Sequence, residues 1–449
     1  MKTRRAILFL IPAAALLAQS APPELAAKAE AHVMSYAKAG KFHGSVLIAK
    51  GGNIILSHGY GMANLELDVA NKPETKFRLG SITKQFTAAA ILQLQEQGKL
   101  SVTDEISKYI ADSPETWKGI TIHHLLTHTS GIPSYTNGPD YVQHMREDHK
   151  SPQEFIKRFR DKPLEFKPGE KFAYDNSGYY LLGVIIEQVS KLKYEEYLRQ
   201  NIFNKLDMMD SGYDWPTAIL KNRATGYSMN KGKAINSEYL DMGQPYAAGS
   251  LYSTVLDLYK WDRALYTSKV LNAKSINAAF TENKDHYGYG WFIEQQHGHK
   301  IVGHGGGING FSTVIRRAIE EDAVAIVLSN SDATSVVANL GKELLGIALG
   351  EEVKPYAERQ EISLDAKSLE RFPGKYQVGP MLIEFRIENG RLIMEPKGQR
   401  AVELHAFGKS SFFLKEMDGL TIVFPGDGPG KADDIILNQG GEHKGKRIE

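Results

Sequence analysis

The sequence contains no cysteine, which excludes disulfides, thiol nucleophiles, lipid attachment to cysteine and thiolate metal sites together. It also lacks an excess of charge of either sign. Lys and Arg number 54 against 53 Asp and Glu, a formal net charge of +1. That balance supplies neither the basic field nucleic acid requires nor a polybasic membrane patch. Transmembrane-length apolar runs are missing too. The N-terminal run Ala6–Ala18 is interrupted by Pro12 and falls short of the ~20 residues that span a bilayer. No internal repeat or low-complexity segment is visible. With 42% hydrophobic and 24% charged residues over 449 positions, the chain reads as globular and long enough for more than one domain.

The N-terminus has the form of a secretory signal. Lys2, Arg4 and Arg5 precede the apolar run, and small residues follow at Ala18, Ser20 and Ala21. Residues 1–21 are therefore expected to be a signal peptide, the protein to be periplasmic or secreted, and the mature chain to have no membrane span. An uncleaved anchor is the alternative.

Residues 22–350 read as one α/β (α+β) unit. A helix is expected over Pro23–Ala39, with Leu25, Ala29, His32, Val33 and Tyr36 on one side. Ser45–Ala49 and Ile54–Gly59 flank Gly51-Gly52-Asn53 as a hairpin. From Ser81 to about Ser268 the pattern is mostly helical. Strand patterns return at Tyr289–Gln295, His299–Gly303, Phe311–Arg317 and Ala323–Ser329, before a closing helix Ser335–Leu349. Strands at both ends and helices between them predict one sheet completed by both ends, with a helical lobe beside it. Residues 351–365 read as a linker. Residues 366–449 read as a small all-β, barrel-like domain, with strands at Met381–Ile387, Leu392–Glu395, Ser411–Leu414, Leu420–Phe424 and Ile435–Asn438.

Three segments carry candidate chemistry. Ser81 and Lys84 stand three apart where a helix begins, so their side chains share one face. The Ser81 amide, in a first turn, has no intrahelical partner and can donate to an oxyanion. For Lys84 to act as base, its pKa must fall from about 10.4 to about 7, ~4 kcal/mol; an Ala-rich, buried helix supplies part of that. A serine at a helix start also serves as a simple cap. Tyr174 and Asn176 stand two apart in a polar loop before an apolar helix from Tyr179 onward. A phenol can pass a proton and a carboxamide can hold a carbonyl; equally, Asn176 can cap the helix with Tyr174 packed beneath. His304, Gly305, Gly306 and Gly307 form a glycine-bearing strand along which a substrate backbone could approach, with His304 pointing into the cleft. The alternative is a glycine-rich surface turn.

Other motifs fail. Gly305, Gly307 and Gly310 match a dinucleotide fingerprint but precede a strand-like run rather than a helix. An α/β-hydrolase needs Gly-x-Ser-x-Gly, and Gly310-Phe311-Ser312-Thr313 ends in Val314. His124 and His128 have zinc spacing, but Leu125 stands where a metalloprotease has Glu; they read as structural, and no metal or cofactor is expected. A Ser81–His304–Asp triad has no comparably placed acid.

Together, Ser81-Ile82-Thr83-Lys84, Tyr174-Asp175-Asn176 and His304-Gly305-Gly306 resemble the motifs of the class C β-lactamase, D-alanyl carboxypeptidase and esterase family of serine hydrolases. Leu125–Pro133, Ala248–Ser253 and Tyr287–Trp291 extend the likeness over nearly all of Leu25–Gly350. The resemblance implies a β-lactamase/penicillin-binding-protein-like antiparallel sheet flanked by helices. It implies Ser81 as nucleophile, Lys84 as base, Tyr174 in proton transfer, Asn176 on the substrate, and an oxyanion hole from the amides of Ser81 and Gly307. Class C lactamases carry Lys-Thr-Gly where His304-Gly305-Gly306 stands, which predicts D-amino-acid peptide or small-ester hydrolysis in preference to β-lactams. Phe372-Pro373-Gly374-Lys375-Tyr376 makes the tail resemble the lipocalin-like domain of some family peptidases. The expected partner is a small-molecule or peptide substrate, with self-association left open. The competing expectation is a catalytically weak penicillin-binding or assembly protein.

Overall fold

Six antiparallel strands make the central sheet of the computed structural model, which describes residues 23–449 apart from 139–140, 148–150, 231–232, 358, 416, 427, 429 and 439–441. Residues 1–21, expected to be a signal peptide, lie outside the described residues. The strands are β1 (Gly44–Lys50), β2 (Asn53–Tyr60), β3 (Phe292–Gln296), β4 (His299–Ile308), β5 (Phe311–Ala318) and β6 (Ala323–Ser329), in the spatial order β3-β4-β5-β6-β1-β2. Gly44 of β1 pairs opposite Ser329 of β6, so the two ends of this region complete one sheet, as their strand patterns predict. Gly51 and Gly52 take φ of 57° and 75°, the backbone a tight turn between paired strands requires.

Four helices bear on the site: α1 (Pro23–Lys38), α2 (Thr83–Glu96), α3 (Asn176–Ser190) and α4 (Thr334–Leu349). Alternate residues of β1 serve two cores, because successive strand side chains point to opposite faces. Val46 and Ile48 meet Val33, Leu340 and Leu344 under α1 and α4. Leu47 and Ala49 face the helical lobe with Phe86, Ile91 and Leu182. Every residue of α2 from Thr83 to Leu94 is buried; a helix enclosed on all sides belongs to the interior, and it carries Lys84 there. Arg317 of β5 and Asp262 of the helix Val255–Ala264, both fully buried, pair at 2.5 Å.

The strand expected from Tyr289 starts instead at Phe292. Gly288 N–H turns back onto the Trp291 carbonyl at 2.9 Å, and Gly290 adopts φ 80°. A Cβ there would stand 2.7 Å from the Lys84 carbonyl oxygen, so only glycine permits this packing.

The described residues of 351–365 have no regular structure. Tyr356 N–H donates to Ser35 Oγ at 2.9 Å, and Ile362 N–H donates to the Ala406 carbonyl at 2.8 Å. Beyond them eight strands close into a barrel, Tyr376 of the first pairing with Arg447 of the last. Three of the eight were not visible as strand patterns: Gly374–Val378, Val402–Gly408 and Glu442–Arg447. Phe372, Tyr376, Phe385, Phe412 and Phe424 pack together in its core.

Candidate active site

The turn holding Ser81 is fixed by backbone bonds on two sides. Leu79 N–H donates to the Leu251 carbonyl at 2.8 Å, and the Leu79 carbonyl accepts from Thr313 Oγ1 at 2.7 Å. Gly80 takes φ 53°, and a Cβ on it would come 3.0 Å from Gly307 N. Glycine is therefore required where the turn meets β4. Ser81 sits in the 3-10 turn Gly80–Ile82 that runs into α2. The caps of both elements, Leu79 and Ile82, make no side-chain cap bond. The Ser81 hydroxyl is thus not spent on capping.

Lys84 is fully buried. Its Nζ donates to Asn176 Oδ1 at 2.8 Å and to the Ala248 carbonyl at 2.9 Å, and lies 3.1 Å from Ser81 Oγ. Burial draws its pKa down to about 7, with the Asp175 carboxylate opposing the fall. A neutral amine has two N–H groups and one lone pair. The two carbonyl-type acceptors take the N–H groups, which leaves the lone pair for the Ser81 proton.

Asp175 caps α3, accepting from Ser177 N at 2.7 Å and Gly178 N at 2.9 Å. The helix therefore starts at Asn176, earlier than the expected Tyr179, and its cap is Asp175 rather than Asn176. Burial raises the Asp175 carboxyl to about 7, against its two backbone donors and Lys84. The cap sends Tyr174 and Asn176 to the same amine. The Tyr174 ring centre lies 4.8 Å from Lys84 Nζ. Burial pushes its phenol well above the ordinary tyrosine range, moderated by a hydrogen bond with Ser81. Tyr174 is thus a protonated donor at neutral pH. Both ends of the Asn176 carboxamide are engaged, Oδ1 by Lys84 and Nδ2 by Thr136 Oγ1 at 3.1 Å.

His304 does not point into the cleft as expected. It is 4% exposed, and its ring lies against Tyr287 and Phe292 with Tyr174 at 6.2 Å. Nδ1 lies 2.5 Å from the Gly305 carbonyl, which can only accept, so Nδ1 carries the proton and Nε2 accepts from Tyr287 Oη at 3.0 Å. Burial and the nearby Lys84 pull its pKa to about 3. His304 is a neutral packing residue and not a titrating anchor for a carboxylate.

The glycines beside it divide their work. A Cβ on Gly306 would fall 1.9 Å from the Leu79 carbonyl oxygen, whereas one on Gly307 would meet nothing closer than Thr334 Oγ1 at 3.8 Å. Gly306 lets β4 press on the Ser81 turn, and Gly307 opens to the cleft. That cleft, about 380 Å³, is bordered by Ser81, Tyr135, Asn176, Ala248, Gly307 and Asp332, among others.

Sequence reasoning missed Asp175, Thr136, the Ala248 carbonyl and the role of His128. His128 adopts φ 56°, accepts from Asp175 N at 3.0 Å through Nδ1, and lies 4.3 Å from the Tyr174 ring centre. An Asp followed by Asn-Ser-Gly before an apolar helix was a legible cap signal; a backbone carbonyl leaves none.

A buried lysine against a serine at a helix start, a phenol across from it and a strand glycine opening on the cleft make an acyl-transfer arrangement. The beta-lactamase family model matches residues 29–348, and the chain belongs to that family of serine hydrolases. It is 29% identical to "Penicillin-binding protein 4*" of Bacillus subtilis, over 91% of this chain and 96% of that protein. An octameric penicillin-binding protein homologue from Pyrococcus abyssi superposes with TM-score 0.67 at 28% identity, covering 94% of this chain and 99% of the other. A D-stereospecific amidohydrolase from Streptomyces sp. aligns with TM-score 0.59 at 25% identity, over 68% and 94%. A D-amino acid amidase from Ochrobactrum anthropi, 22% identical, shares the fold with TM-score 0.64 over 72% and 99%.

Proposed function

We propose that the protein is an exported hydrolase that opens D-amino-acid amides and peptides or small esters through an acyl-enzyme on Ser81. The observation that carries this reading is the 3.1 Å approach of Lys84 Nζ to Ser81 Oγ, made by an amine whose burial brings its pKa to about 7. In acylation, Ser81 Oγ attacks the carbonyl carbon as its proton moves to the Lys84 lone pair. The amides of Ser81 and Gly307 hold the oxyanion; losing one such donor costs about 3–4 kcal/mol. Tyr174 gives its proton to the departing amine or alcohol and regains one from Lys84. Water then attacks the ester as Lys84 takes its proton, and Lys84 returns that proton to Ser81 Oγ as the acid is released.

The amidohydrolase likeness supports D-amino-acid substrates, and the buried, neutral His304 supports a low β-lactamase rate. Export rests on residues 1–21 of the sequence. Self-assembly is proposed from the octameric homologue. No helix among the described residues is long and apolar enough to cross a membrane.

A panel of p-nitrophenyl esters, D-alanyl amides and nitrocefin, run with wild type and Ser81→Ala, tests the reading. Ester or D-amide turnover above nitrocefin, abolished in the variant, is the expected result. Nitrocefin as the best substrate would reverse the specificity, and unchanged biological activity in Ser81→Ala would favour a binding or assembly role.

A further inference from the structure

Asp332 is the one charged side chain among the described residues bordering the Ser81 cleft. It follows β6 and stands two residues before Thr334, which opens α4 and whose Oγ1 lies 3.2 Å from Ser312 Oγ on the strand paired with Gly307. Its backbone is pinned on both sides: N–H donates to the Tyr227 carbonyl at 3.2 Å, and its own carbonyl accepts from Thr334 N at 2.8 Å. The carboxylate is exposed and receives one described protein hydrogen bond, from Met229 N at 3.3 Å. No described Lys, Arg or His forms an ion pair with it. Two nearby arginines are committed elsewhere. Arg78, behind Phe311 at 5.9 Å, is bound to Asp214 at 2.6 Å, and Arg146 pairs with Glu238 at 2.9 Å.

The position matters because α4 begins here without a side-chain cap. An uncapped helix N-terminus carries about half a positive charge and would favour a substrate carboxylate. The full negative charge of Asp332 outweighs it. Tyr135, Tyr141, Leu240 and Phe311 also border the cleft and offer aromatic and apolar wall, a surface that tolerates a cation over ring faces and gives an anion no partner.

We propose that Asp332 sets the charge selectivity of this site: it favours substrates that carry an ammonium group and rejects those with a free carboxylate. This deepens the proposed function and rests on it. The preferred substrates are then amino-acid amides, esters or amine-terminated peptides, and carboxylate-terminated peptides and β-lactam acids are disfavoured.

The test uses three p-nitroanilides of D-alanine with different charge at the amino end, the free amine, the N-acetyl and the N-succinyl compound, and the Asp332→Asn and salt comparisons separate charge from size. Each is assayed with wild type and Asp332→Asn at low and high salt, beside fluorophosphonate labelling of Ser81. Wild type should rank ammonium above neutral above carboxylate. Asp332→Asn should compress the ammonium-to-carboxylate ratio of kcat/KM by about tenfold, as a charge pair at a solvated rim allows, and high salt should compress it in wild type. Retained Ser81 labelling in Asp332→Asn shows that the site is still formed. Equal handling of the three charges by wild type, or a ratio unmoved by the substitution, overturns the role of Asp332. Failure of the wild-type protein to label at Ser81 overturns the hydrolase reading itself.

Discussion

Lys84 is useful as a base because it is uncomfortable as a cation. Three acceptors surround its nitrogen, yet burial takes its pKa to about 7. The sign of the pH dependence follows: below that value the amine is protonated and has no lone pair, above it the base is free. The rate of acylation at low substrate should therefore rise with pH around 7, a range in which the neighbouring Asp175 carboxyl titrates beside Lys84. Stopped-flow measurement of kcat/KM against pH checks this; a flat profile from 5 to 8 would contradict it. His304 cannot be the source of that limb, because its ionisation lies at about 3. Accordingly, His304→Gln should leave the midpoint in place while lowering activity through lost packing on Tyr287. At this scale the sequence was legible where contacts are local. Ser81 and Lys84 meet within one turn, so spacing sufficed. The burial of His304 depends on Tyr287 and Phe292 closing over it, and nothing in His-Gly-Gly reports that.

Elements bring distant residues to the serine by allowing close backbone approach. β4 reaches the Ser81 turn because Gly306 has no side chain: its absent Cβ would lie 1.9 Å from the Leu79 oxygen and 2.3 Å from Thr313 Oγ1. Gly306→Ala must therefore push β4 away from the turn and displace the Gly307 amide. We expect a destabilisation of about 1–3 kcal/mol, the usual cost of overpacking, and at least a hundredfold loss of activity, as for a lost oxyanion donor. Thermal melts and ester kinetics on the purified variant measure both. Gly305→Ala makes the control, since a Cβ there meets nothing closer than 3.7 Å. The glycine-bearing strand was readable from sequence, and the division of labour among its glycines was not, because it depends on which face of β4 meets Leu79. The strand Glu442–Arg447 escaped notice for a simpler reason: Glu-His-Lys-Gly-Lys-Arg has no apolar alternation, and its pairing in the barrel comes from the neighbours.

At the scale of the molecule, the sheet and its helices share one pair of cores and the barrel has another of its own. The described residues of the connecting segment 351–365 have no regular structure, and exposed irregular chain is where proteases cut. Brief trypsin treatment should cleave near Lys354 or Arg359, and the C-terminal fragment should keep its β-sheet circular dichroism. Cleavage first within the barrel would show that its core does not hold it together. The all-β character of the C-terminal region was readable from the change in periodicity near residue 366; closure of the barrel was not, because it rests on pairing between the first and last of its strands.

The central claim is that Ser81, served by Lys84, forms the covalent bond. Intact-mass spectrometry after fluorophosphonate treatment, with peptide mapping and a pH series, tests it most directly. The account predicts one adduct per chain on Ser81, formed faster as pH rises through about 7, absent in Ser81→Ala and slowed at least a hundredfold in Lys84→Met, within the range removal of a general base gives. An adduct on another residue, or labelling of Ser81 at an undiminished rate without Lys84, would contradict it.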